Sequence, residues 1–268
     1  MVIPVHDVNP TRRTPWVTYA LIAVNVVVFL LTPASRTVEI GSQSLAQVCR
    51  QEAFYDRYAA IPREMLDNQQ LPRTPTGDTG VGPQGAGCVV APSEYRKVPA
   101  LSVLYAMFLH GGWLHLLGNM LYLWVFGNNV EDRFGRVRYL LLYLVCGYVA
   151  AYGFAVANAG STQPLIGASG AVAGVLGAYL VLYPRARVWS LVPFLLFLPL
   201  KLPAWLVLGL WFVIQGVYSA GYTVSQAGSV AYLAHVFGFV LGVLAALPLR
   251  GRRPPTQYRY DYRYPVPP

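Results

Sequence analysis

The sequence contains no aspartate or glutamate between Asp132 and Asp261, and long apolar runs fill most of that stretch. Carboxylates are costly inside a lipid bilayer, so a chain that crosses a membrane several times tends to exclude them from its spans. The composition agrees, because 55% of the residues are hydrophobic and 12% are charged, whereas soluble domains have about 25% charged residues. The sequence therefore predicts an all-α polytopic membrane protein.

Six apolar runs approach or reach the length of about 17–25 residues that a transmembrane helix requires. They are Trp16–Thr32, Trp113–Val130, Tyr139–Asn158, Gly170–Tyr183, Leu202–Ser219 and Val230–Leu249. A further apolar stretch, Trp189–Leu200, contains two prolines, so we expect it to be interfacial or re-entrant. The prediction is a six-helix transmembrane bundle with a long outer loop, residues 33–100, after the first span.

The net charge is +9, and apart from the cations of the long outer loop, whose length exempts it from the positive-inside rule, most basic residues form short clusters beside these runs. Such clusters mark the cytoplasmic side, whereas the loops around Ser161 and residues 221–228 contain no Lys or Arg and are expected outside. Both termini are therefore expected in the cytoplasm, with a leader (1–15), a membrane domain (16–250) and a disordered tail (251–268). The clusters form no continuous basic face, which argues against nucleic-acid binding.

The long outer loop holds two of the three cysteines, Cys49 and Cys88. Outside the cell a disulfide is permitted, so the two either pair or remain free thiols. The segment Leu71–Gly87 is rich in Pro, Gly and Gln, and we expect it to be irregular.

Ser169 and His235 lie at the outer ends of two predicted spans, within otherwise apolar sequence. Ser169, between Gly167 and Gly170, is either a helix N-cap or a nucleophile whose own N–H can bind an oxyanion. His235 is either a buried histidine bonded to a carbonyl or a general base, and Gly238 on its helix face permits a close neighbour. Because no carboxylate is available in these spans, a Ser-His-Asp triad is excluded there.

His110, His115 and Asn119 lie at the same predicted depth as Ser169. His115 and Asn119 are four residues apart on one helix face, where they either bond between helices or donate to an oxyanion. His110 lies about one turn above them and is given a supporting role. A zinc site is disfavoured because the sequence has no HExxH motif and no nearby carboxylate. We expect neither a metal nor a cofactor.

Three separated segments resemble motifs of the rhomboid family of intramembrane serine proteases. They are Phe108–Met120 (FLHGGWLHLLGNM), Gly167–Ala171 (GASGA) and Ala234–Gly238 (AHVFG). The resemblance covers about residues 100–250, with the motifs in order, and is to the bacterial six-span type.

The resemblance implies a catalytic dyad with Ser169 as nucleophile and His235 as base. In the family, the oxyanion is held by the positions that match His115, Asn119 and the Ser169 N–H, and the position matching Gly167 lies beside the active site. Substrates would be single-span membrane proteins cut near the outer face of the plasma membrane, from an active site that opens to the extracytoplasmic side.

One departure from the family lies before the second span. The family often has a Trp–Arg pair there, whereas this chain has Glu94-Tyr95-Arg96-Lys97.

The alternative function is a non-catalytic rhomboid-like binder of transmembrane helices, although a binder needs neither Ser169 nor His235. A transporter is disfavoured, because the later spans contain no carboxylate and the chain has no internal repeat.

Overall fold

The computed structural model describes residues 3–36, 44–82, 85–192, 197–221 and 231–251. The predicted disordered tail lies outside these residues, apart from Gly251, and so does most of the neutral loop around residues 221–228. Most of the described chain is helical, and two small antiparallel sheets accompany the helices. The all-α prediction therefore requires a correction, because strands form before the first helix and in two of the segments that connect helices.

Each of the six apolar runs contains a helix, as the sequence predicts. The helices are α1 (Trp16–Leu31), α2 (Leu45–Tyr58), α3 (Pro62–Asp67), α4 (Pro99–Ala106), α5 (Trp113–Tyr122), α6 (Asn128–Phe134), α7 (Arg136–Ala157), α8 (Ser169–Leu182), α9 (Ala204–Gly221) and α10 (Tyr232–Ala246). Among the described residues, Arg136–Ala157 and Tyr232–Leu249 are long and apolar enough to cross a membrane. Three others, in α1, α8 and α9, are apolar but shorter. The count of six spans stays a prediction.

The second apolar run forms one continuous helix, in which a π turn at Leu123–Gly127 joins α5 to α6. On α6 the carboxylate of Glu131 accepts hydrogen bonds from the N–H groups of Val17 and Thr18, at 3.0 and 2.8 Å. The Thr18 hydroxyl donates to the same carboxylate at 2.8 Å. The first N–H groups of a helix have no partner within it, so Glu131 caps α1 and joins the first two apolar runs at this end.

The helices α8 and α10 pack with their backbones in direct contact. A Cβ built on Gly238 would overlap the carbonyl oxygen of Gly170, and one built on Gly242 would overlap that of Gly174. A Cβ on Gly177 would likewise overlap the carbonyl of Phe239. Small residues allow two apolar helices to approach this closely. The contact fixes the distance between the N-terminal parts of the two helices.

Residues 44–98 form a compact unit, here called the loop module, which precedes α4. In it α2 and α3 accompany a hairpin of β2 (Arg73–Gly82) and β3 (Gly85–Pro92), and a disulfide joins Cys49 on α2 to Cys88 on β3. The expectation of irregular structure at Leu71–Gly87 is wrong, because most of this segment is strand. Both strands are edge strands, and proline is tolerated at an edge where its missing N–H is not needed for pairing.

A buried ion pair holds the end of the loop module. The Lys97 ammonium lies 2.7 Å from the carboxylate of Glu64, with the two side chains 3% and 1% exposed. Lys97 also donates to the carbonyl of Asp56, and the Tyr95 hydroxyl donates to the Asp56 carboxylate, both at 2.7 Å. Burial raises the pKa of Asp56 and that of Tyr95. The segment that departs from the family pattern thus anchors the module.

We expect Lys97→Met to open the loop module. Removing one member of a buried pair leaves an unpaired charge and costs about 3–5 kcal/mol, so residues 44–98 should be cut more than about ten-fold faster in limited proteolysis, since each 1.4 kcal/mol is a factor of ten. The matched control is the double variant Glu64→Gln/Lys97→Met, which removes both charges and should recover most of the resistance. Equal proteolysis rates for Lys97→Met and the wild type would contradict this role.

The second sheet joins the chain's first strand to the segment between α8 and α9. Its strands, in the order β1 (Ile3–Asp7), β4 (Arg187–Val192) and β5 (Leu198–Pro203), include the described part of the stretch expected to be interfacial or re-entrant. Asp7 accepts hydrogen bonds from the Tyr179 hydroxyl and the Asn129 amide, both at 2.7 Å. Burial raises the pKa of Asp7 to about 6. This contact ties α6 to the end of α8 that lies away from Ser169.

Candidate active site

Ser169 and His235, predicted from the sequence to act together, are in hydrogen-bond contact. The Oγ atom of Ser169 lies 2.7 Å from Nε2 of His235. Ser169 is the first residue of α8 and is half-buried, whereas His235 lies in the first turn of α10 and is 7% exposed. A base must lie within about 2.6–3.2 Å of the proton donor it serves. The pair therefore has the geometry for activating a serine hydroxyl.

The packing glycines set this distance. Gly170 directly follows Ser169, and its carbonyl lies against Gly238, three residues after His235. Because the two backbones touch at this level, the short side chains of the serine and the histidine can reach each other across the interface. Gly170 and Gly238, predicted from the sequence as supporting positions, are brought together by the structure.

Gly167 borders the space in front of the serine. Its φ of +123° lies in a region that side chains disfavour. A Cβ at this position would lie 2.8 Å from Nε2 of His115 and 3.6 Å from Oγ of Ser169. The Gly167 N–H donates to the carbonyl of Ala106 at 2.9 Å. The space between the hydroxyl and His115 is open because residue 167 has no side chain.

His115 and Asn119 supply side-chain donors from α5. The Gly111 N–H donates to Nδ1 of His115 at 3.5 Å, which leaves Nε2, the nitrogen beside Gly167, as the protonated donor. Asn119 is buried, and its Nδ2 has no hydrogen-bond partner in the part of the chain that the structure describes. A buried donor without a partner is rare and calls for a reason. Binding of an oxyanion is a function that such donors can serve.

His110 lies behind His115 rather than in front of the serine. Its side chain is fully buried, and its ring meets the ring of His115 edge to face, with centroids 5.1 Å apart. Its carbonyl oxygen accepts a hydrogen bond from the Tyr55 hydroxyl at 2.8 Å. His110 therefore packs against His115 and connects it to α2 of the loop module.

The loop module also holds the segment that leads to Ser169. Ala60 and Leu165 form an antiparallel bridge, with N–H to carbonyl distances of 3.3 and 2.7 Å in the two directions. The Arg63 N–H donates to the carbonyl of Ser161 at 3.1 Å. The chain before the serine is thus positioned by main-chain hydrogen bonds from the loop module, which the sequence did not predict.

A small apolar cavity adjoins the serine. Its volume is about 30 Å³, and its lining includes Ser169, Gly167, Met107, Ala150 and Ile166. Nearly all the lining side chains are aliphatic or absent, so the cavity suits a small uncharged group. Within the described ranges, no group of three His, Cys, Asp or Glu side chains is placed to hold a metal ion.

Gln215 is the residue at this site that the sequence reasoning missed. Its Oε1 lies 2.7 Å from Nδ1 of His235, and the amide is 4% exposed. Trp211, one turn earlier on α9, places its ring 5.9 Å from the imidazole. The available signal was the same one that revealed His235, namely a polar side chain within an otherwise apolar run.

The described helices thus bring a serine and a histidine together within one helical bundle. The Rhomboid domain family model matches residues 99–252, which is more than half of the chain. The chain therefore belongs to the rhomboid family, whose members are integral membrane proteins.

Similar curated proteins come from yeast, plants and bacteria. The chain is 32% identical over 149 residues to Rhomboid protein 1, mitochondrial, of Saccharomyces cerevisiae, covering 54% of this chain and 40% of that protein. It is 28% identical over 167 residues to RHOMBOID-like protein 1 of Arabidopsis thaliana, covering 62% and 39%. It is 42% identical over 81 residues to Rhomboid protease GluP of Bacillus subtilis, covering 29% and 15%. The chain thus spans less than half the length of each of these relatives.

Proposed function

We propose that this chain is an intramembrane serine endopeptidase that uses Ser169 and His235 as a catalytic dyad. The observation that carries the proposal is the 2.7 Å contact between the serine hydroxyl and Nε2 of the histidine. Membership of the rhomboid family supports it, and so does the resemblance to a relative named as a protease. The absence of Asp and Glu between Asp132 and Asp261 agrees with a pair that works without an acid.

In the proposed mechanism, His235 accepts the hydroxyl proton of Ser169 while Oγ attacks the carbonyl carbon of the scissile peptide. The carbonyl oxygen becomes an oxyanion, which accepts hydrogen bonds from Nε2 of His115, Nδ2 of Asn119 and the Ser169 N–H. The tetrahedral intermediate expels the amine, which takes the proton from His235, and an ester on Ser169 remains. Water gives a proton to His235 and attacks the ester, releasing the acid and restoring the hydroxyl.

The proposed substrates are single-span membrane proteins, cut near the outer face of the bilayer. The cavity beside Ser169, with a volume of about 30 Å³, supports a small residue next to the scissile bond. A larger side chain would have to displace the backbone of Gly167 or the side chains of Met107 and Ala150, which line it.

The proposed setting is the plasma membrane, crossed six times, with both termini in the cytoplasm and the active site opening outward. The leader (1–15), the membrane domain (16–250) and the tail (251–268) belong to the same proposal. The basic clusters between the apolar runs support this orientation. The disulfide supports it too, because the loop module would lie outside, where disulfides persist.

A fluorophosphonate probe tests the proposed serine without requiring a substrate. The folded protein should form one adduct, on Ser169, and His235→Ala should slow labelling by about 10²-fold or more, because a general base contributes about 10²–10⁴. Mass spectrometry of the labelled peptide locates the adduct, and the heat-denatured protein is the control. Labelling unaffected by His235→Ala would contradict the dyad. A folded protein that never reacts would favour the non-catalytic binder of transmembrane helices.

A further inference from the structure

The helix α9 contacts the imidazole of His235 at the nitrogen that Ser169 does not touch. Gln215 places Oε1 at 2.7 Å from Nδ1, and Trp211 lies on the same face of α9, four residues earlier. We propose that Gln215 is the positioning residue of the base: its carboxamide oxygen accepts the Nδ1 proton and keeps the Nε2 lone pair directed at Ser169. The inference rests on the proposed function and adds the residue that prepares the histidine for it.

The tautomer of His235 follows from the two contacts together. A neutral imidazole carries one proton, and it can accept the serine proton at Nε2 only when its own proton is on Nδ1. In the amide orientation of this structure the Gln215 oxygen faces Nδ1 as an acceptor, so it pairs with Nδ1–H and would face a lone pair in the other tautomer. Gln215 and His235 are 4% and 7% exposed, so water is poorly placed to relieve that repulsion.

A purely structural role is the competing explanation for Gln215. Amides commonly form hydrogen bonds between membrane helices, and such bonds contribute about 0.6 kcal/mol on average. Two observations favour positioning over this role. The partner of the amide is the histidine whose other nitrogen is hydrogen-bonded to Ser169, and the Trp211 ring lies at 31° to the imidazole, with centroids 5.9 Å apart. The amide and the indole together restrict rotation of the imidazole.

An amide and a carboxylate differ in what they do for the base. Both select the Nδ1–H tautomer, but a carboxylate also stabilises the imidazolium that forms when the base takes up a proton. Helices α7 to α10 contain no carboxylate, since no Asp or Glu occurs between Asp132 and Asp261. The variant Gln215→Glu keeps the acceptor and the selection of the tautomer and adds a negative charge. The variant Gln215→Leu removes the acceptor and, with it, the selection.

Kinetics of substrate cleavage provide the first test. Gln215→Leu should lower kcat by about 10–100-fold, which is at most the lower end of the 10²–10⁴-fold that a general base contributes, with little change in KM. Gln215→Glu should retain most of the activity, and the acidic limb of its pH–rate profile should move to higher pH by about one unit or more, because a nearby opposite charge favours the protonated imidazole. The matched control is Val213→Leu on an exposed part of α9, which should leave rate and profile unchanged.

The ¹⁵N NMR spectrum of the histidine rings in detergent micelles provides a test that does not depend on activity. His235, assigned with His235→Ala, should carry its proton on Nδ1 in the wild type and in Gln215→Glu, and should lose that preference in Gln215→Leu. If this pattern holds in a protein that neither cleaves nor reacts with the probe, the inference stands and the proposed function fails. If the wild type cleaves, and Gln215→Leu keeps both the wild-type rate and the Nδ1–H tautomer, the inference is overturned.

Discussion

Ser169→Ala should reduce cleavage of a reconstituted transmembrane substrate by about 10³-fold or more, with the fold unchanged. The reason is chemical, because the variant lacks the oxygen that attacks the peptide carbonyl and that forms the ester. Loss of a nucleophile costs far more than loss of one binding contact, since the remaining donors and the base have no covalent path to support. The lost hydroxyl forms one hydrogen bond, with His235, at the half-buried start of α8, so stability should change little.

The measurement is the rate of product formation in proteoliposomes, at matched protein concentration and orientation. The control is Ser161→Ala, which removes a hydroxyl from the loop before α8 but keeps the main-chain carbonyl that accepts from Arg63, and should keep the wild-type rate. Circular dichroism and the thermal midpoint verify that both variants are folded. Cleavage by Ser169→Ala at a rate near that of the wild type would exclude Ser169 as the nucleophile.

Gly242→Val should destabilise the protein by about 3 kcal/mol or more, since overpacking costs about 1–3 kcal/mol even where side chains can move. Here the new Cβ would overlap the carbonyl of Gly174, which is main chain within a helix and cannot rotate away. Relief requires α8 and α10 to separate, and this also moves Ser169 away from His235. We therefore expect a lower thermal midpoint together with loss of probe labelling.

A matched substitution separates the packing effect from the general effect of valine in a helix. At Gly209 on α9, a Cβ would meet no atom within 4 Å. Gly209→Val introduces the same side chain into an apolar helix without that overlap, so it should retain both the thermal midpoint and the labelling. If Gly242→Val behaves like Gly209→Val, the close contact between α8 and α10 does not control the site.

The apolar helices, and the polar residues that face one another at the site, could be predicted from the sequence. Ser169 and His235 stand out because polar groups are rare in apolar runs, and the glycines beside them predict a close helix contact. Gln215 carries the same signal, but its contact with His235 follows only from the way α9 packs beside α10. The β2–β3 hairpin differs from the irregular chain that the sequence predicts, because an edge strand tolerates proline.

Other parts of the site could not be predicted from residue types. The bridge between Ala60 and Leu165 consists of main-chain hydrogen bonds. Any two residues other than proline can form such bonds, so these two residue types do not predict the pairing. The contact from the Tyr55 hydroxyl to the His110 carbonyl joins residues far apart in the sequence, and only the placement of α2 brings them together.

The bridge between Ala60 and Leu165 also bears on how the outer part of this protein can diverge. Because peptide groups make the connection, most substitutions elsewhere in the loop module leave the connection intact. The module's exposed surface can therefore acquire new charges, shapes or binding partners while the chain before Ser169 keeps its position. For the proposed function, this means that the surface of the loop module can change while the chemistry at Ser169 stays the same.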